Sequence, residues 1–579
     1  MSEFRSAVKR YLRRVPLLDR WIRLHLLRHR VRTTAYPNWQ AVLESDRTAW
    51  REALAAATGG PRVLIATNVG GYSGGVTLES MLAVALTLRG AEVQFLLCDK
   101  TLPACLMCEV GLYPQLRHFT AQGPGEDLCE YCFDPAREVY DSLGFRTHRL
   151  SDFISTAQRA EASKLAAKTA AAEIATWRRD GLAIGEHAKA GALRFFARAD
   201  LDDLPHGDAV LRRYFEAALL TTSAVERLLG EQPYAAAVFH HGIYVPQGLT
   251  GEVCRRAGVR VVNWNPAYRK RCFIFSHGTT YHHTLMDEPV DTWDAMPWTP
   301  EMERQILEYL RSRWDGSQDW IWFHERPQAD LTRISAETGV DFSRPTIGLL
   351  TNVMWDAQLH YPANAFANMR DWVMQTIAYF ARRPELQLLI RVHPAEIRGS
   401  LPSRQPIVAE IGREFPVLPA NVFIAGPESQ VSTYAAMAAC NAVIIYGTKT
   451  GVELTSMGIP VIVAGEAWIR NKGLTMDARS PEHYFALLDR LPLPARMDAA
   501  AVERSRKYAY HFFFRRMIPI EFMAPAKGNP PFKLELTRLD ALRPGGSPGL
   551  DIVCEGILSG TPFVYPAEAS AAATARAGG

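Results

Sequence analysis

The chain has 579 residues, roughly four times the ~150 of a single domain, so two substantial domains with extensions are expected. Hydrophobic residues make up 48% and charged residues 22%, a balance that excludes a disordered chain, a collagen-like chain and a polytopic membrane protein. Against 65 Lys and Arg stand 61 Asp and Glu, a formal charge of +4, which is too small at this size to point to nucleic acid.

Residues 1–35 read as a basic amphipathic helix. Residues 1–32 carry ten Lys or Arg, opposed only by Glu3 and Asp19, and Trp21 with several leucines recurs at helical spacing. No unbroken apolar stretch follows the charges, so this is not a secretory signal. Such a helix suits an anionic membrane surface; packing against the protein's own body is the other reading.

A first α/β domain is expected over 60–315. Residues 62–67 (RVLIAT) are a short branched strand, followed by a loop with Gly70, Gly71, Gly74 and Gly75, a helical stretch over 77–89 and a second strand over 93–97. That is one βαβ unit. The loop is not G-x-G-x-x-G, so a nicotinamide site is disfavoured; it could instead pass close to an acceptor or an anion. A Cys-rich insertion follows over 98–132. Cys105-x-x-Cys108, twenty intervening residues and Cys129-x-x-Cys132 have the spacing of a zinc ribbon, two hairpins each presenting two thiolates to a structural Zn²⁺. An iron–sulfur cluster, disulfides or free thiols are the alternatives. Helical sequence is expected at 135–143 and, Ala-rich, over 151–230. Strands return at 235–239 and 259–264.

Polar, Pro-containing sequence over 315–345 reads as a connection to a second α/β domain at 345–490, with strands at 346–351, 386–392, 422–425, 442–446 and 460–463. A crossing helix is expected over 491–530, and 531–579 is a tail whose Ala/Gly-rich end reads as disordered. The fold class is thus α/β, two Rossmann-like domains in series with a cleft between them.

The chemistry-bearing residues cluster at predicted strand ends. Arg391 and His393 close one strand of the second domain. Another empties into Gly447-Thr448-Lys449-Thr450-Gly451, with Glu453 one turn later. Glycines admit an anion to backbone N–H groups, the two threonines and Lys449 add donors, and Glu453 can accept from a ribose. In the first domain, His240 and His241 end a strand facing the same cleft, where an imidazole can serve as general base. Trp355 and Asp356 are candidate cleft residues. His277, His282 and His283 read as loop or cleft lining rather than metal ligands. No Asp-x-Asp pair stands at a strand end, so no catalytic metal is expected.

With these motifs, R-V-H-P (391–394), Y-G-T-K-T-G-V-E-L-T-S-M-G-I-P-V-I (446–462) and W-I-R-N-K-G-L-T (468–475), the sequence resembles GT-B glycosyltransferases of bacterial capsule and surface polysaccharide biosynthesis, the group that includes Kdo transferases. The Cys-rich insertion is not part of the general pattern. The resemblance implies donor-nucleotide contacts at Arg391, His393, Ser429, Thr448, Lys449 and Glu453, and acceptor binding by the first domain. It further implies transfer from a nucleotide sugar to a glycan or lipid-linked glycan, by a cytoplasmic enzyme that can sit at the inner face of the membrane. A nucleotide-sugar epimerase or hydrolase, a glycerophosphotransferase-like enzyme and a non-catalytic glycan-assembly protein are the alternatives.

Overall fold

Short branched runs alternating with amphipathic helices build two parallel sheets in the computed structural model. The structure describes residues 36–113, 115–314, 316–320, 327–356 and 362–569, together with helical positions 18, 21, 22, 25 and 29. The basic segment 1–35 is otherwise outside the described residues, as is the end of the chain from residue 570.

The first sheet contains β1 (Arg62–Asn68), β2 (Glu92–Leu97), β3 (Arg146–Arg149), β4 (Ala236–His240), β5 (Arg260–Pro266), β6 (Cys272–His277) and, from far along the chain, β13 (Ile518–Pro519). Its order is β13-β6-β5-β4-β1-β2-β3, with β1 to β5 parallel, β6 antiparallel to β5, and β13 antiparallel to β6 and so aligned with the others. Side chains alternate along β1: Leu64 and Ala66 enter one buried cluster, Val63 and Ile65 the other. A parallel sheet covered on both faces needs such a run, apolar on both sides.

The second sheet, β7 (Thr346–Leu350), β8 (Gln387–Arg391), β9 (Val422–Ala425), β10 (Ala442–Ile445), β11 (Val461–Val463) and β12 (Met476–Asp477), has the order β12-β11-β10-β7-β8-β9 and is parallel throughout. That is the doubly wound order, in which the chain reverses direction across the sheet between its first and fourth strands and opens a crevice at their carboxyl ends. In the first sheet the reversal lies between β1 and β4. In the second it lies between β7 and β10. Two Rossmann-like domains therefore stand in series, and the topology alone names the four loops that should border a ligand.

Three segments differ from the sequence reading. The second CxxC pair lies in helix α1 (Glu126–Ser142), not in a hairpin, and Pro135 sits inside that helix. The 315–345 connection contains a helix, Leu331–Thr338, capped by Asp330. Residues after 531 are no loose tail as far as 569. Helix Pro548–Ser559 buries Leu550, Val553, Cys554 and Ile557 in the first domain's core with Phe563. The chain reaches that core through helix Ala499–Tyr510 and strand β13, and Tyr508, Tyr510, Phe512 and Phe513 are fully buried on the way.

The domains are also tied directly. Gln405 donates to Asp200 (2.7 Å) and accepts from Ala199 N (2.9 Å), while the Lys472 ammonium donates to the carbonyls of Met286 and Glu288 (2.8 and 2.6 Å). No helix among the described residues is long and apolar enough to cross a membrane.

Candidate active site

At the tip of β4 the backbone leaves the sheet through an unusual turn. His241 has φ +63° and Gly242 φ +80°. A left-handed conformation is ordinary for glycine and strained for histidine, by about 1–3 kcal/mol where the surroundings enforce it. The enforcing contacts are a hydrogen bond from His241 N to Trp264 O (3.1 Å) and one from Gly242 N to His240 O (2.7 Å). A Cβ on Gly242 would stand 2.3 Å from Asn263 Oδ1, so residue 242 must be glycine and the imidazole falls to residue 241.

The Tyr244 ring stacks on His241 (centroids 5.3 Å apart, planes 20° apart), and its hydroxyl donates to Asp356 Oδ1 at 2.9 Å, across the domain boundary. Tyr281 and His282 stand edge-on to His241, each at 6.3 Å, and His282 stacks on Trp468 of the second domain at 5.4 Å. His241 Nδ1 is buried without a hydrogen-bond partner. Burial holds its imidazole down at about 4, with the Asp356 carboxylate pulling it part of the way back. At neutral pH it is an uncharged base in an aromatic recess shared by both domains.

His240 turns inward instead. It lies between Tyr72 (4.5 Å) and Trp264 (4.9 Å), and burial depresses its basicity strongly. Beneath it is a group the sequence reading missed. Glu79, buried in helix α2 (Ser73–Thr87), accepts hydrogen bonds from the Thr67 hydroxyl and from Trp264 Nε1 (2.9 Å), and Thr67 Oγ1 in turn accepts from His240 N (2.9 Å). A lone Glu in an apolar helix, twelve residues after a strand-end Thr, was the available signal.

Burial pushes the Glu79 carboxyl from its ordinary 4.5 up to about 8, against the pull of those two hydrogen bonds. Between these values the folded chain keeps a proton that the unfolded chain has released. Glu79 alone therefore lowers stability as pH rises through that window, by up to about 1.4 kcal/mol per unit. Glu79→Gln is expected to flatten this part of the profile in denaturant titrations at pH 5 and pH 8. An unchanged slope would contradict a protonated Glu79.

On the second domain, Gly447 leaves β10 beside the β7 loop. A Cβ there would stand 3.6 Å from Asn352 Nδ2, and Asn352 Oδ1 is itself buried and unpartnered. Thr448 and Thr450 hydroxyls lie 3.1 Å apart. The helix they enter, Thr450–Ser456, is only seven residues long. Gly451 serves packing, since a Cβ would meet Ile445 at 2.6 Å. Lys449 Nζ bonds Glu453 (2.9 Å) and lies 4.7 Å from the centre of the Tyr268 ring in the first domain. Glu453 also meets Arg313 Nε at 3.0 Å, and Arg313 pairs with Asp319. Burial would raise the Glu453 carboxyl, but Arg313 and Lys449 outweigh it and hold it at about 2. Glu453 is thus engaged in a buried ion network rather than extended toward a ribose.

Arg391 is held by backbone carbonyls. Its side chain is only 2% exposed, and it donates to the carbonyls of Val392, Ala425, Gly426 and Ser429, stapling the tip of β8 to the loop after β9. These bonds leave little of it to neutralise a phosphate. Ser429 Oγ donates to Glu337 (2.6 Å). His393 Nδ1 accepts from Ala395 N (3.1 Å), which assigns the proton of a neutral ring to Nε2.

The glycine loop of the first domain is shaped by packing. A Cβ on Gly70 would strike the Cys132 carbonyl at 2.1 Å, one on Gly74 would stand 3.1 Å from Pro530, and one on Gly75 would meet the Tyr72 ring at 2.9 Å. Its bearing on the cleft comes through Tyr72 against His240. Among the described residues no group of three or more His, Cys, Asp or Glu is already arranged to hold a metal ion.

No family model matches the sequence, and no curated protein does. Among solved structures, the chain is similar to the KpsC β-Kdo 2,4 transferase of Thermosulfurimonas dismutans (13% identity, TM-score 0.32, covering 47% of this chain and 79% of that one). It is also similar to the spinosyn rhamnosyltransferase SpnG bound to spinosyn aglycone (13%, TM-score 0.23, 78% and 95%). A third is the UDP-GlcNAc 2-epimerase of Neisseria meningitidis bound to UDP-GlcNAc (9%, TM-score 0.25, 77% and 97%).

Proposed function

We propose that this chain is a glycosyltransferase that binds a nucleotide sugar in the cleft and passes the sugar to a glycan acceptor held mainly by the first domain. The observation that carries this reading is His241: a strained, uncharged imidazole with an open buried nitrogen at the tip of β4, paired through Tyr244 with Asp356 of the opposite domain. A group held so at the meeting of two sheet crevices is suited to take a proton.

In the reaction, an acceptor hydroxyl gives its proton to His241 as its oxygen bonds the anomeric carbon. The bond from that carbon to the nucleotide's phosphate oxygen breaks, and the nucleotide leaves with the electron pair. Thr448, Thr450 and Lys449 are the donors proposed to face the leaving group, with charge already built into the protein rather than brought by a divalent ion. The aromatic wall of Tyr281, His282 and Trp468 excludes the water that would otherwise hydrolyse the donor. The charge of residues 1–32 supports an anionic membrane surface, at the cytoplasmic face, as the place where a lipid-linked acceptor is met.

A thermal-shift screen with UDP, CMP, GDP and CDP tests the donor half. One of them is expected to raise apparent stability, by about 2.7 kcal/mol at a hundred times its Kd; no shift with any of them removes the proposal. Product analysis with the matching sugar nucleotide tests the other half: a sugar joined to acceptor is expected, whereas free epimerised sugar assigns an epimerase.

A further inference from the structure

The Cys-rich insertion is not consumed by the site above, yet it touches both first-domain loops that border it. Cys105 and Cys108 are buried, with their Sγ atoms 3.9 Å apart. A tetrahedral zinc site with Zn–S of about 2.3 Å has sulfur-to-sulfur edges of roughly 3.8 Å, so this pair already stands at one edge of such a site. Cys129 and Cys132 occupy consecutive turns of one face of α1. Gly71 sits between the two halves: a Cβ there would meet Met107 of the first CxxC at 2.9 Å and Cys132 Sγ at 3.4 Å. Gly71 N donates to Cys132 Sγ at 3.1 Å, an amide-to-sulfur bond that a thiolate accepts better than a thiol. Lys100 and Glu130 bridge the same two segments at 3.6 Å.

The CxxC loop is anchored on its other side to the His241 turn. Leu106 N donates to Val245 O (2.8 Å), and Arg194 donates to Leu106 O (2.6 Å) while lying 5.6 Å from the centre of the Tyr244 ring. The cluster therefore braces the Gly70–Tyr72 loop and the 241–246 loop at once, the two sides of the first sheet's crevice.

We infer that Cys105, Cys108, Cys129 and Cys132 bind one zinc ion as four thiolates, drawing the two helix thiols onto the preset pair, and that this ion pins the two cleft loops together. Four sulfurs leave no open position, so the ion is structural and takes no part in bond making. Two cysteines standing at a single tetrahedral edge favour one mononuclear ion over a cluster whose cysteines sit on separate irons. The inference does not depend on the transferase reading, because its first readout is metal content.

Elemental analysis of the full-length chain, purified without chelator, is expected to find about one zinc per chain, released in step with four thiols on titration with a mercurial. Cys132→Ser is expected to lose the zinc and to speed hydrogen exchange over residues 69–72 and 241–246 while distant strands of the second sheet stay protected. A folded chain with no metal and four freely titrating thiols overturns the inference. So does iron with acid-labile sulfide, which would assign a cluster instead. Zinc loss with unchanged exchange in both loops would overturn the bracing role. If Cys132→Ser does not fold, the metal and thiol stoichiometry of the unaltered chain still decides.

Discussion

Replacing His241 by alanine is expected to reduce turnover by about 10²–10⁴-fold, the usual contribution of a positioned general base, with little change in nucleotide affinity. His241→Gly is expected to separate function from stability. Glycine adopts φ +63° without strain, so this variant should be as inactive as the alanine variant and yet more stable than it, by about 1 kcal/mol, since both lose the same ring contacts. A histidine kept for packing alone would leave turnover intact in both variants, with stability lost through the missing contacts of Tyr244, Tyr281 and His282. The pH profile follows from the same burial. With its pKa held down at about 4, the base remains unprotonated through the neutral range, and kcat/KM should stay level until pH falls toward that value. The depressed pKa also means that the unfolded chain takes up the proton first on acidification. His241 therefore contributes stability that is present above about pH 6.5 and is lost as pH falls toward 4. Parallel activity and denaturation measurements of the two variants check both statements, and full activity in His241→Ala would remove the base.

The second large effect is expected at Glu453. Its carboxylate is 2% exposed and faces Lys449 and Arg313. Truncation to alanine leaves two cations facing each other in the interior with one carboxylate, Asp319, to balance them. Removing one partner from a buried ionic group typically costs about 3–5 kcal/mol, enough to expose much of the second domain. Lys449→Met should be milder, because Glu453 keeps Arg313, and should instead weaken nucleotide binding. Urea denaturation of both variants with nucleotide titration of the folded one measures the contrast. A Glu453→Ala chain as stable as the parent would mean the network is solvated and would return Glu453 to the role of a ribose acceptor.

Much of the site's scaffold was legible in advance for a local reason. RVLIAT, TIGLLT and LQLLIRV are runs in which both faces are apolar, and such runs form strands buried on both sides. Their carboxyl ends, with those of the runs at 235–239 and 442–446, then single out His240, His241, Arg391, Lys449 and Asp356 as candidates without any knowledge of packing. What could not be read in advance has a different cause. Arg391 is placed correctly at its strand end, but whether its guanidinium faces the cleft or the neighbouring loop depends on carbonyls more than thirty residues later. Cys129 and Cys132 carry the spacing of a zinc ribbon whether they ride on a hairpin or a helix, since positions three apart meet in either. Glu79 looked like one polar residue in an apolar helix until Thr67 and Trp264 closed around it.

Strand identity, the order of alternation and the residues at the tips are properties of neighbouring amino acids, and the chain's own pattern determined them. Which tip meets which was decided only by the tertiary structure. The pairing of Tyr244 with Asp356, the stacking of His282 on Trp468 and the contact of Glu453 with Arg313 join segments whose separation leaves no trace in local periodicity. Such contacts arise only when two sheets, each already formed, are brought face to face, because burial and charge pairing act through space and not along the backbone.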